Sequence, residues 1–114
     1  MDDCIFCKLA NGQIPTTFIF EDDLVCCFAD LAPQAPTHVL VVPKLHIGSA
    51  DQVDAQNSHV LAAMFEAIPE IAKRLGVSGC YRLISNCGAE AGQSVPHLHI
   101  HLLSGSPTLR DRLI

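Results

Sequence analysis

A chain of 114 residues has room for one domain and no more. It is 49% hydrophobic and only 17% charged, so it can build a core, and a domain this small leaves apolar surface for a partner to cover. The formal net charge of −5, from 7 basic against 12 acidic residues, argues against a nucleic-acid polymer gripped by its phosphates, although a few aimed backbone N–H groups can hold a small phosphate ligand.

The opening residues Met1-Asp2-Asp3-Cys4 are acidic and lack the basic stretch and apolar run of a secretory signal. The apolar runs are far shorter than a membrane span requires. In a reducing compartment the six cysteines read as thiols or metal ligands. The expectation is a cytoplasmic protein without a membrane partner.

In chain order, residues 5–11 predict a short helix ending near Gly12. Thr16 to Phe20 is β-rich and runs through the turn Glu21-Asp22-Asp23 into a hairpin partner, Leu24 to Ala29. Pro33 and Pro36 mark a loop, and His38 to Val42 is a strand closed by Pro43. From about Gln52 to Leu75 the residues Leu61, Met64, Phe65, Ile68, Ile71, Ala72 and Leu75 recur at three- and four-residue steps, the mark of one long amphipathic helix. Gly76 is its expected stop, and Pro69 should kink or break it. Tyr81 to Ser85 and His97 to Leu103 read as the last two strands. Short turns between strands plus one long helix predict an antiparallel α+β domain.

The most informative segment is Pro96-His97-Leu98-His99-Ile100-His101-Leu102-Leu103, which holds half of the 6 histidines. On a strand, His97, His99 and His101 share one face, and Leu98, Ile100 and Leu102 the other, against the core. Two chemistries fit three such imidazoles. They could bind a catalytic zinc. Alternatively, one could act as a nucleophile, because neutral imidazole, with an ordinary pKa of roughly 6.5, attacks phosphorus and later leaves it. The preceding loop, Ser85 to Val95, is no P-loop, since no Lys follows Gly88 and Gly92. Its Asn86, Gln93 and Ser94 are neutral donors suited to phosphate oxygens or a leaving group.

The histidine run resembles the His-x-His-x-His signature of the histidine triad (HIT) family. The resemblance continues through Ile19-Phe20-Glu21-Asp22-Asp23, Pro33-Gln34-Ala35-Pro36-Thr37-His38, Val42-Pro43-Lys44-Leu45-His46-Ile47, Tyr81-Arg82 and Gly92-Gln93-Ser94-Val95, nearly the whole chain. These blocks are similar to the Hint branch, the purine nucleoside phosphoramidases. The resemblance implies a HIT fold with a five-stranded antiparallel sheet, one long and one short helix, and a homodimer carrying a ten-stranded sheet. It implies that His99 attacks the α-phosphate of a purine nucleotide and forms a nucleotidyl-histidine, which water opens to release the nucleoside monophosphate. His101 would hold the phosphate, Ser94 would meet the leaving group and Asn86 a phosphate or ester oxygen. Asp30 would take the ribose hydroxyls, while Ile5, Phe6, Leu9, Ile14, Phe28 and Leu31 would form the purine slot. His38 matches a further active-site histidine, either a proton relay or a support.

Several of these residues have plainer readings. Asp30 could cap a turn, Phe28 and Leu31 could be core, and Ile5, Phe6 and Leu9 could be the buried side of a short helix. Cys4 and Cys7 form a Cys-x-x-Cys pair, a spacing shared by metal sites and redox couples, although no thioredoxin-like strand precedes it. By resemblance to family members carrying this pair, Cys4, Cys7, His46 and His97 would hold a structural zinc. Cys26, Cys27, Cys80 and Cys87 read as buried small residues, and His59 as a surface or interface position. The tail after Leu103 lacks the tryptophan of close eukaryotic relatives, which leaves leaving-group preference open.

Overall fold

The computed structural model describes residues 3–107 and 109–111; Thr108 and the last residues of the divergent tail, 112–114, lie outside it. Helix α1 spans Ile5–Ala10, strands β1, β2 and β3 span Phe20–Glu21, Val25–Ala29 and Thr37–Pro43, and helix α2 spans Ser58–Leu75. Strands β4, Arg82–Ile84, and β5, Ile100–Ser104, complete a five-stranded sheet. Its spatial order is β1-β2-β3-β5-β4, and every neighbouring pair is antiparallel. This is the α+β architecture that the short turns and single long helix predict.

Each central strand is apolar on both sides because each face is covered. Val25, Cys27, Val39, Val41, Leu98, Ile100 and Leu102 pack against Val60, Met64, Ala67, Ile68 and Ile71 of α2. On the opposite face Cys26, Phe28, Leu40 and Val42 meet Cys4, Phe6 and Ala10 around α1. The period-two alternation of β2 and β3 therefore divides two cores, one for each helix.

The long helix begins later than its apolar pattern suggests. Residues Ala50–Gln52 form a separate 3-10 turn, and Asp54 then breaks the path. Its Oδ1 accepts the N–H groups of Gln56 and Asn57 at 2.9 and 3.2 Å, a local bond that competes with helix formation. Pro69 does not break α2, which runs on to Leu75. The proline lies on the exposed side, while Met64, Ile68, Ile71 and Ala72 anchor the opposite side. Gly76 ends the helix in the left-handed region at φ 73°, and its N–H closes on Ala72 and Lys73 carbonyls. Phe65 departs from the expected buried stripe and is exposed.

Strand β5 is shorter than the histidine run. Pairing begins at Ile100, while Leu98 N–H bonds Ile47 O at 2.6 Å and Ser85 Oγ donates to His99 O at 2.9 Å. Leu98, Ile100 and Leu102 face the α2 core, as alternation requires. Cys26 and Cys27 are buried, but Cys80 and Cys87 are exposed, because both fall in loops flanking β4 rather than in a packed strand. Among the described residues no helix is long and apolar enough to cross a membrane. Ile71 is fully buried between helix and sheet, so Ile71→Ala should lower unfolding free energy by about 2–5 kcal/mol, read as a reduced denaturant midpoint.

Candidate active site and metal centre

The face of the sheet that carries α1 also carries four histidines. His38, on β3, and His101, on β5, lie on adjacent strands, with His99 and His97 leading into β5. His99 is nearly buried, and its Nδ1 is 2.7 Å from the carbonyl oxygen of His97. A carbonyl only accepts, so Nδ1 carries the hydrogen and Nε2 of the neutral ring keeps its lone pair. The Phe6 ring stands edge-on to His99 at 5.0 Å between centroids and 87° between planes, which limits its rotation.

A second chain of bonds fixes His101. The backbone N–H of Gln34 donates to His38 Nδ1 at 2.9 Å, so the proton of neutral His38 sits on Nε2. That N–H donates to His101 Nδ1 at 2.9 Å, which leaves His101 with its own N–H on Nε2. Asp30 Oδ2 lies 3.5 Å from His38 Nε2 and 4.0 Å from His101 Nδ1. These three side chains converge closely enough to resemble a metal site, but an ion on His38 Nε2 would require that nitrogen to lose the proton the Gln34 amide holds there. The chain of donors is the better description. Burial, helped by His99 and His38, lowers His101 from 6.5 to about 4, against the pull of Asp30.

His99, His101, Asp30 and Ser94 line one cavity of about 560 Å³ with Ile5, Phe6, Leu9, Ile14, Phe28 and Leu31. Every residue expected at the purine slot is in this wall. Pro15, Thr16, Ala29, Ala32, Leu40 and Val95 complete it. Leu40 was legible in principle, since it shares a strand face with His38. The plainer reading of Asp30 also holds, because its Oδ1 accepts Ala32 N–H at 2.7 Å and caps the turn.

Asn86 and Gln93 do not line this cavity. Gln93 Nε2 donates to the carbonyls of Gly48 and Val95 at 2.7 and 3.0 Å, and its Oε1 accepts Gly88 N–H at 2.9 Å. Its amide is committed to holding the loop that presents Ser94. Asn86 sits against Gly92, where an added Cβ would lie 3.2 Å from Asn86 Nδ2; at φ +107° this glycine lets the loop turn.

Behind His99, four donor atoms converge. His97 Nδ1 lies 3.2 Å from Cys4 Sγ, 3.4 Å from Cys7 Sγ and 3.2 Å from His46 Nδ1, and Cys7 Sγ is 3.2 Å from His46 Nδ1. The ligand distances of a tetrahedral Cys₂His₂ zinc imply donor separations of roughly 3.3–3.8 Å, so the set fits a metal ion with little adjustment. His97 Nε2 donates to Pro43 O at 2.8 Å, which turns the Nδ1 lone pair towards the two sulfurs. The helix start contributes too, as Cys4 Sγ accepts the Cys7 N–H at 3.3 Å. Burial first, then the neighbouring Cys4, raises the Cys7 thiol to about 11, and a bound cation would reverse that by stabilising the thiolate. The alternative of a metal on His97, His99 and His101 finds no support, since His97 and His101 turn their Nδ1 atoms to different partners.

Residues 3–111 match the family model described as "Scavenger mRNA decapping enzyme C-term binding". Protein HitA of Neisseria gonorrhoeae is 41% identical over 107 residues, 94% of this chain and 99% of its own. The purine nucleoside phosphoramidase of Escherichia coli strain K12 is 39% identical, covering 93% and 90%. A HIT family hydrolase from Clostridium thermocellum superimposes with a TM-score of 0.93 at 38% identity, over 100% of this chain and 99% of that one. The Legionella pneumophila HIT family hydrolase gives 0.87 at 42% identity, over 93% and 96%. The chain belongs to the histidine triad family. Its kinship lies with the enzymes of that family, and it is a HIT-family hydrolase.

His101 provides a pH test. Folding depresses its affinity for protons, so the unfolded chain binds more protons between pH 6.5 and about 4, and stability falls as pH drops through that window. Denaturant midpoints at pH 7 and 4.5 should show a smaller acid loss in His101→Gln than in the wild type.

Proposed function

We propose that this protein hydrolyses purine nucleoside 5′-phosphoramidates, or related adenylates, through a covalent intermediate on His99. The carrying observation is the Nδ1–H bond from His99 to the His97 carbonyl, which leaves a lone pair on Nε2 of a ring that lines the cavity. The name of the Escherichia coli relative supports the substrate class.

In this reading the base lies among Ile5, Phe6, Leu9, Ile14, Phe28 and Leu31, and Asp30 Oδ2 takes the ribose hydroxyls. The Nε2 lone pair attacks the α-phosphorus, the P–N bond breaks with its electron pair going to nitrogen, which takes up a proton from solvent and departs as the amine, and Ser94 contacts the departing group. Once phosphorylated, the imidazole becomes cationic, and the Nδ1–H bond to a carbonyl strengthens with that charge. His101 offers its Nε2–H to the phosphate oxygens, and His38 keeps that proton in place. Water then attacks phosphorus, returning His99 and releasing the nucleoside monophosphate. Gln93 acts by presenting Ser94, and Asn86 by supporting the same loop.

Cys4, Cys7, His46 and His97 would hold a zinc ion whose role is structural, since a closed Cys₂His₂ set has no position left for water. The chain would act in the cytoplasm as a single HIT domain over residues 1–114. A homodimer would join two sheets through their β4 edges and cover the exposed Phe65 of α2.

Mixed with an adenosine 5′-phosphoramidate and quenched in base, the wild type should gain the mass of an AMP moiety, and His99→Ala should not. Turnover by His99→Ala should fall on the order of 10⁴-fold or more, as for other deleted covalent nucleophiles. Near-normal activity in that variant would refute the mechanism.

A further inference from the structure

We propose that Cys4 and Cys7 form a reversible oxidation site through which a peroxide-class oxidant lowers the protein's affinity for nucleotide. The proposal rests on the reading of the four-donor cluster as a zinc site and of the large cavity as the nucleotide pocket. What it adds is that the two are mechanically one device.

Helix α1 is the link. At six residues it is too short to be stable on its own, so it stays in place only while tied to the sheet. Cys4 caps it and Cys7 lies in its first turn, so both of its sulfurs in the cluster hold the same end of the helix. The same helix gives Ile5, Phe6 and Leu9 to the wall of the large cavity. Phe6 also stands edge-on to both His97 and His99, at 6.0 and 5.0 Å. Loosening the sulfurs therefore loosens three wall residues and the ring that braces the nucleophile.

Access and chemistry suit oxidation here. A surface cavity of about 390 Å³, lined by Lys8 and Lys44 among others, opens onto Cys7 and His46 and gives a small oxidant a path to the sulfur. The sulfurs lie within 4.8 Å of each other, and a three-residue spacing at a helix start suits a disulfide. The buried thiols of Cys26 and Cys27 are pushed up to about 12 by desolvation and present no competing site.

In the step itself, one thiolate sulfur attacks a peroxide oxygen, the O–O bond breaks, and hydroxide leaves to be protonated as water. The second thiolate then attacks the sulfenic sulfur, forms the S–S bond and expels a second hydroxide. The sulfurs lose two electrons, the peroxide gains them, and solvent supplies two protons. A disulfide carries no negative charge with which to hold a cation, so His46 and His97 lose their partners and α1 keeps only the packing of Phe6 and Ala10 to hold it on the sheet.

The test uses zinc-loaded protein carrying Cys80→Ser and Cys87→Ser, which removes the two exposed thiols. Before oxidant is added, zinc content and AMP binding by calorimetry are measured; absence of either would overturn the underlying reading, and this proposal with it. Hydrogen peroxide should then release the zinc, lighten the Cys4–Cys7 peptide by its two thiol hydrogens, and weaken AMP binding on the order of tenfold or more, the scale of losing part of an apolar pocket wall. Dithiothreitol with zinc should restore all three, while circular dichroism shows the sheet intact throughout. A complete Cys4–Cys7 disulfide with unchanged AMP affinity would overturn the proposal alone. So would a peptide that stays reduced at peroxide concentrations that oxidise Cys80 in the unsubstituted protein.

Discussion

The carbonyl of His97 accepts the Nδ1 hydrogen of His99 at 2.7 Å, and the ring of the same residue faces two sulfurs and a second imidazole. His97 is completely buried, so every polar atom it carries must be partnered. Its Nε2 hydrogen goes to Pro43 O, its Nδ1 to the cysteine cluster and its carbonyl to His99. Because those commitments are made in one residue, the orientation of the His99 ring cannot be separated from the packing behind it. The proposed role of His99 needs its lone pair presented before substrate arrives, and the backbone supplies that constraint at no cost in side-chain freedom.

The fold makes such a site affordable. Strands β3 and β5 are the two innermost neighbours of β2 and β4, and both of their faces are packed. Rings mounted there move little. The α2 side carries most of the core, which frees the opposite face to hold four histidines, an open cavity and only a short helix. Helix α1, only six residues long, is held on that face by Phe6 and Ala10 in the smaller core and by Cys4 and Cys7 in the cluster that could hold a metal ion. Stability and chemistry are thus divided between the two faces of one sheet.

Much of this was legible in the residues. Alternation placed His97, His99 and His101 opposite Leu98, Ile100 and Leu102, and the geometry agrees, because period two survives even where pairing begins only at Ile100. The wall of the cavity was legible only through the family resemblance, since Ile5, Phe6 and Leu9 look like any buried helix face. Gln93 misled because an amide is equally suited to a phosphate and to two carbonyls, and only the loop's path decides between them. The start of α2 misled because Asp54 diverts the backbone through its own side chain, a local preference invisible to apolar periodicity. The Gln34 amide, which sets the tautomers of two histidines, gave no sequence signal at all: a backbone N–H has no identity in the sequence.

The central claim concerns where one proton sits. Nitrogen-15 spectra of histidine-labelled, zinc-loaded protein at neutral pH resolve the two ring nitrogens of each imidazole. The account predicts a neutral His99 with hydrogen on Nδ1 and an unprotonated Nε2, and the opposite arrangement in His38 and His101. A His99 ring protonated on Nε2, or bearing the signature of metal ligation, would contradict it.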